Sequence, residues 1–262
     1  MLECVINISE GRDRDRIGAV AATAGDDLLD VHTDPHHHRS VLTVVGEGAA
    51  RRVTAAAVAH IDLRAHEGVH PRIGAVDVVP FVPLGDTPLD EAVAARNRFA
   101  TWAGMELDLP CFCYGPERTL PDIRRGAFAS LEPDTGPIDP HPTAGGVAVG
   151  ARAVLLAYNV WLADADLDEA RRIAAELRGP AVRALGLQVG DRVQVSMNLL
   201  APAAVGPADV ADAVAARARV DGCELVGLAP RETLDAVAPQ RWAELDLDED
   251  RTIQARLAAR GR

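Results

Sequence analysis

Residues 66–72 read His-Glu-Gly-Val-His-Pro-Arg, and two chemistries fit the run. Taken as HExxH, it would be a zinc-hydrolase motif. Two His on one helix face hold the metal there, and the Glu acts on a bound water. The context opposes a helix. Gly68 inside the run costs about 1 kcal/mol in helical conformation, and Pro71 pushes the residue before it toward extended backbone. No later His follows at metzincin spacing. The second chemistry is acid–base work from a loop. His70 titrates near neutral pH and can take and return a proton, while Arg72 beside it can hold a carboxylate through two parallel hydrogen bonds. A plainer reading also stands, in which Arg72 pairs with Asp77 or Asp62 and His70 caps a turn.

The other reactive residue types narrow the field. Seven of the eight His lie at or before position 70, and three of them, His36 to His38, are consecutive in a polar loop. Only four Ser are present, none in a GxSxG elbow. Cys4, Cys111 and Cys113 alternate within apolar runs, which suits buried thiols better than nucleophiles. The Gly-rich stretch 136–146 precedes a strand pattern and lacks GxGxxG. It could lie over a planar heterocycle with Arg152 nearby, or serve only as a linker.

Composition removes further classes. The chain has no Lys; all 27 of its Lys-plus-Arg positions are Arg, against 39 Asp plus Glu. Schiff-base chemistry, a Walker-A loop and the kinase phosphate Lys are therefore excluded. A net charge of −12 argues against a nucleic-acid partner, although a few local Arg can still receive a small anion. Four Cys without CxxC spacing call for no disulfide framework. No apolar run approaches the roughly 18 residues of a membrane span, and Met1-Leu2-Glu3 leads straight into a strand pattern. A cytoplasmic protein without a membrane partner is expected.

The elements that must position these residues follow from periodicity and turn chemistry. Strands are predicted at 2–8, 27–33, 39–46, 76–82 and 110–115, and helices at 12–24, 48–62 and 88–105. Thr87 is the expected N-cap of the last helix, with Pro88 at its first position. Pro80 suggests that strand 76–82 lies at an edge or carries a bulge. Residues 116–152 read as a junction with one helical turn at 121–125. Beyond it come a strand at 153–162, a helix at 166–178 opened by Asp164 or Asp166, strands at 182–187 and 192–200, a helix at 207–221 and a strand at 224–229. The tail from 238 should end in a surface helix. Both halves begin βαββαβ, the split-βαβ unit. The expected fold is α+β: two ferredoxin-like sandwich subdomains, 1–150 and 151–262, each a mixed or antiparallel sheet with helices on one face.

Seven ordered segments together resemble the formiminotransferase (glutamate formimidoyltransferase) family: LECVINISEG (2–11), LLDVHTDPHHHRSVLTVVG (28–46), HEGVHPRIGAVDVVPFVP (66–83), RTLPDIRRG (118–126), DTGP with GGVAVGARAVLLAYNVWL (134–162), QVSMNLL (194–200) and LVGLAP (225–230). They span nearly the whole chain. The resemblance implies two α/β subdomains with a folate site in the cleft between them, and a homodimer. It implies transfer of a formimidoyl group from N-formimino-L-glutamate to N5 of tetrahydrofolate, with folate as co-substrate and no metal. His70 would be the catalytic base and acid, with Arg72 beside it. Asp34, His37, His38 and Arg39 would face the site. The folate loop would correspond to Gly136–Gly145, including Pro137 and Thr143. Arg39, Arg72 or Arg152 would receive carboxylates. Four positions depart from the family pattern: Val69 where Glu is usual, His38 where Asn is common, and Thr143 and Ala144 where Ser and Trp often stand. They keep a divergent paralogue with another donor or acceptor, or one that only binds a folate-like ligand, in view. A fused cyclodeaminase domain is not expected.

Overall fold

The computed structural model describes residues 1–68 and 72–261, and the chain divides into two compact units, Met1–Ala153 and Val154–Arg262. In unit 1 the order is β1 (Leu2–Ile8), α1 (Arg14–Ala22), β2 (Leu28–Asp34), β3 (Arg39–Val45), α2 (Glu47–His60), β4 (Val76–Pro83), α3 (Leu89–Glu106), β5 (Cys111–Tyr114), α4 (Leu120–Gly126) and β6 (Val147–Ala151). The sheet runs β2-β3-β1-β4-β6-β5. β1 pairs antiparallel with β3 and β4, and β2 pairs antiparallel with β3. β6 pairs in parallel with β4 and β5. Alternation sorts the faces. Cys4, Ile6 and Ile8 of β1 join Leu42 and Val44 of β3 in a core with Val20 of α1, Val53 of α2 and Phe99 of α3. The opposite residues of β1, Glu3, Val5 and Asn7, point away from those helices.

Three expectations change here. Pro88, not Thr87, is the N-cap of α3; the Thr87 hydroxyl instead accepts a hydrogen bond from the Met1 amino group at 2.6 Å. β4 is not an edge strand, since β1 and β6 flank it. It does carry a bulge, but at Asp77: Asn7 faces Val78 while Ile8 faces Val76. The extra residue resets the alternation. Val76 and Val79 therefore both reach the helical face, while Val78 joins a second cluster with Phe112, Ile123 and Ala148. That cluster places α4 on the face away from α1–α3, so unit 1 has a helix on each side. Finally, residues 147–151 form a strand within the span read as junction. All five are buried, and the run VAVGA shows no alternation because both of its faces are covered. At Gly150 an added Cβ would lie 2.0 Å from the Tyr114 ring, so only Gly lets that ring cross the strand.

Unit 2 is simpler: β7 (Leu156–Leu162), α5 (Leu167–Leu177), β8 (Val182–Val189), β9 (Arg192–Leu199), α6 (Pro207–Ala215) and β10 (Val220–Val226), with the sheet ordered β10-β7-β9-β8. All its pairings are antiparallel. Asp166 caps α5 by accepting from the Glu169 amide at 2.8 Å. Leu156, Tyr158 and Val160 of β7 and Val193, Val195 and Met197 of β9 pack against Ile173 and Val214 of the helices. Two short helices follow, α7 (Arg231–Asp235) and α8 (Ile253–Ala258). The tail is anchored where the Tyr158 hydroxyl donates to the Leu245 carbonyl at 2.7 Å. The sheet order is that of the ferredoxin-like unit, and β2-β3-β1-β4 of unit 1 repeats it. Among the described residues no helix is long and apolar enough to cross a membrane.

Candidate functional site

The polar residues of unit 1 converge where β1 ends, β2 turns into β3, and the segment before β4 arrives. Ser9, His37, His38, Arg39, His66, Arg72 and Asp77 line one small pocket. Its frame is built from backbone groups. The Ser9 amide donates to Ala75 O at 2.8 Å and its hydroxyl to Gly74 O at 2.8 Å. Asp34 holds the β2–β3 turn by accepting from the amides of His36 and His37 at 2.8 and 2.9 Å, the usual side-chain mimicry of a backbone turn. His38 takes a positive φ of 51°, which turns its ring back toward Glu10. At Gly11 an added Cβ would meet Asp34 O at 2.3 Å and Arg39 N at 2.5 Å, so Gly lets the β1–α1 turn lie directly on the β2–β3 turn.

Charge in the pocket is balanced by burial and hydrogen bonds. Glu10, 2% exposed, accepts from the amides of Gly11, Arg12 and Asp13 at 3.0, 2.9 and 3.1 Å and from Arg16 at 2.7 Å. Burial alone would raise its pKa, but these donors hold it below the ordinary carboxylate value. Asp77 behaves alike. Burial opposes its charge, yet Arg124 and Arg39 keep it ionised, with Arg124 donating at 2.6 and 3.2 Å and the Ile73 amide at 2.9 Å. Arg39 donates to the Asn7 side-chain oxygen through Nε at 3.0 Å and through Nη2. Arg72 reaches the carbonyls of His66 at 3.0 Å and Gly68 at 3.2 Å. Of the carboxylates suggested as its partners, Asp77 engages Arg124 and Asp62 engages Arg64.

Two imidazoles stack in this pocket. The rings of His38 and His66 lie 4.1 Å apart between centroids, tilted by 33°. The Gly11 amide donates to His38 Nδ1 at 3.0 Å. His66 Nε2 lies 3.2 Å from the His38 carbonyl. Burial lowers both pKa values; His66 and then Arg12 and Arg72 lower that of His38 further and Arg72 that of His66, while Glu10 pulls both the other way. Both rings are therefore neutral near pH 7 and available as hydrogen-bond partners.

The remaining sequence candidates fall in other places. Thr143 and Gly145 sit beside Gly74: the Thr143 carbonyl accepts from the Leu63 amide at 2.8 Å, and Gly145 bridges Gly74. Gly136, with φ 86°, packs on Leu109 O and on Gly104 at the end of α3, and Pro137 is exposed. Arg152 lies near Glu3 and Tyr114: burial raises the pKa of both, and the Arg152 charge opposes the rise. None of these lines the pocket. His70 and Val69 lie outside the described residues. His66 has extended backbone, φ −102° and ψ 121°, and not the helical geometry that HExxH requires. Among the described residues no group of three or more His, Cys, Asp or Glu is placed to hold a metal ion.

Sequence reasoning missed Ser9, Asn7, Glu10 and Arg124, and weighed His66 only as a zinc ligand. Ser9-Glu10-Gly11 read as a turn. The one available signal was an acidic residue directly before a glycine and an Arg-rich helix start.

Comparison with known proteins bears on the family. Residues 1–152 match the family model of the formiminotransferase domain, N-terminal subdomain. The chain is 35% identical to a glutamate formimidoyltransferase of Streptococcus pyogenes serotype M1 over 97% of each chain. It is 37% identical to a glutamate formimidoyltransferase of Thermoplasma acidophilum over 76% of each. A formimidoyltransferase-cyclodeaminase of Sus scrofa is 35% identical over 91% of this chain and 52% of its own length. These long matches lead to one conclusion: the chain belongs to the formiminotransferase family.

Proposed function

We propose that this protein transfers a formimidoyl group from N-formimino-L-glutamate to N5 of tetrahydrofolate. The observation that carries the reading is the unit 1 pocket, where neutral imidazoles and Arg side chains meet in the region that matches the family's domain. The names of its relatives support the same chemistry.

N5 of tetrahydrofolate attacks the amidine carbon and forms a tetrahedral intermediate. The proton on N5 passes to His70. The C–N bond to glutamate then breaks, and the imidazolium returns the proton to the departing nitrogen. Acid–base help of this kind contributes roughly 10²–10⁴-fold, and holding two substrates in one site contributes as much again or more. Arg39, Arg72 or Arg152 receives the carboxylates of glutamate or folate. Asp34, His37 and His38 border the donor, and the loop from Gly136 and Pro137 to Thr143 and Gly145 meets the folate. Tetrahydrofolate acts as co-substrate, and the chemistry needs no metal. A cytoplasmic homodimer, with residues 1–150 as the catalytic subdomain and 151–262 as its companion, completes the reading.

A second reading has one specific observation behind it. His38, at a position where the family pattern commonly has Asn, lines the pocket and stacks on His66. A divergent member would use another donor or acceptor. The test incubates the protein with tetrahydrofolate and N-formimino-L-glutamate and follows 5-formiminotetrahydrofolate. Turnover, abolished in His70→Ala with the fold intact, is expected. Tetrahydrofolate binding without turnover would favour the second reading.

A further inference from the structure

Arg72 adjoins the segment that carries His70, and its guanidinium is already engaged. Nη2 donates to the His66 carbonyl at 3.0 Å and Nη1 to the Gly68 carbonyl at 3.2 Å. Either fork with which a guanidinium grips a carboxylate uses at least one of these two nitrogens. Here both are turned onto the chain's own backbone. The bonds are not those of a helix, since His66 is extended, with φ −102° and ψ 121°. Six extended residues can span about 20 Å; one side chain instead joins the two ends of the run 66–72.

Each end is fixed to a different wall. At the first, the His66 ring stacks on His38 at 4.1 Å between centroids, with Nε2 3.2 Å from the His38 carbonyl. An added Cβ at Gly68 would lie 3.0 Å from His38 Cβ and 3.1 Å from the His37 carbonyl, so this end rests directly on the β2–β3 turn. At the second, the Ile73 amide donates to Asp77 at 2.9 Å, and the Ile73 carbonyl accepts from the Gly146 amide at 3.1 Å. The Ser9 hydroxyl donates to the Gly74 carbonyl at 2.8 Å. A run anchored at both ends still has backbone carbonyls to satisfy, and Pro71 contributes no N–H. The Arg72 guanidinium supplies donors there.

We infer that Arg72 is a positioning residue: it clasps the His66 and Gly68 carbonyls, holds the segment that carries His70 in place, and is not an anion receptor. The inference rests on the formimidoyl-transfer reading and narrows it, because Arg72 leaves the set of side chains that receive substrate carboxylates. Loss of the clasp leaves the binding groups intact and releases the base, so the cost falls on the chemical step. A displacement of about 1 Å in such a group costs about 100-fold in rate.

The test uses the full chain with Arg72→Ala and Arg72→Lys. Lysine keeps a charge for a carboxylate but has no planar fork to span two carbonyls. We expect kcat to fall about 100-fold in both variants, with KM for N-formimino-L-glutamate and for tetrahydrofolate within about threefold of wild type. Hydrogen exchange of the peptide covering residues 63–74 should quicken in both, while the urea unfolding midpoint stays unchanged. A rise of about tenfold or more in either KM with kcat kept, recovered in Arg72→Lys, makes Arg72 a carboxylate receptor and overturns the inference. Unchanged exchange of that peptide overturns it as well. If wild type shows no turnover, the formimidoyl reading fails, and the exchange still decides the clasp. If Arg72→Ala does not fold, Arg72→Lys decides by the same readouts.

Discussion

The two units share one strand order and differ in the sheet face that their main helices leave open. In unit 2 that face carries the amides of Asn159 and Gln194 beside a single carboxylate of β10. Asn159 donates to Glu224 at 3.0 Å, and Gln194, 2% exposed, keeps an unpartnered Oε1. In unit 1 the corresponding face and its end gather Glu3, Asn7, Arg39 and Asp77 with two imidazoles. The difference does not come from the shared βαββαβ topology. It comes from the additions to unit 1: a bulge at Asp77, α4 bringing Arg124, and the turns that bring Glu10 and His38 together. Topology supplies the frame, and the site is built on top of it.

The comparison breaks most decisively at Asp77. Asp77→Ala leaves Arg124 and Arg39 without their shared buried carboxylate. It should destabilise unit 1 by about 3 kcal/mol, read as a lowered unfolding midpoint, and should cost most of the activity. If stability is unchanged, the charge cluster is not what distinguishes the units. Next comes Glu3, 4% exposed, whose pKa burial pushes up to about 7 against the pull of Arg152. A carboxyl with a raised folded-state pKa holds its proton in the folded state while the unfolded chain has lost it. Its contribution is present below pH 4.5 and is lost as pH rises toward 7, by about 3 kcal/mol. Glu3→Gln should therefore stabilise the protein at pH 8 and leave it nearly unchanged at pH 4, as measured by urea unfolding at both values. Glu10 and Asp77 have the opposite sign. Their pKa values are lowered, so their contribution is present above the usual carboxylate values and is lost as pH falls through the folded-state pKa.

Smaller effects sharpen the other side. Gly150→Ala must displace the Tyr114 ring and should cost roughly 1–3 kcal/mol, a packing effect without charge. In unit 2, Gln194→Leu removes an unsatisfied acceptor and should be neutral or stabilising by up to about 1 kcal/mol. A loss of several kcal/mol there would mean that the amide face is as specialised as the charged one.

Much of the frame is legible in the chain. Alternation in LECVINI and in residues 192–199 marks strands with one covered face, and Asp166 announces α5 before any contact is known. The strand 147–151 was not legible, because a strand buried on both faces loses its period of two. The N-cap of α3 shifted by one residue because Thr87 found a tertiary partner in the chain's own amino group. In the site, His37, His38 and Arg72 drew attention as residue types, and Arg39 through the resemblance to the family. The partners of Arg124 and Glu10 did not, since nothing local links position 77 to 124 or position 10 to 38.

By itself the sequence determined the two βαββαβ units, the absence of Lys chemistry and the family to which the chain belongs. These depend on local periodicity, composition and ordered motifs. Only the tertiary structure decided that His38 and His66 stack, that Arg124 meets Asp77, and that Asp77 stands at a bulge. Those are properties of long-range proximity and burial. A charge or a lone pair acquires its energy from what surrounds it, and the surroundings of Glu10, His66 and Asp77 come from segments tens of residues away.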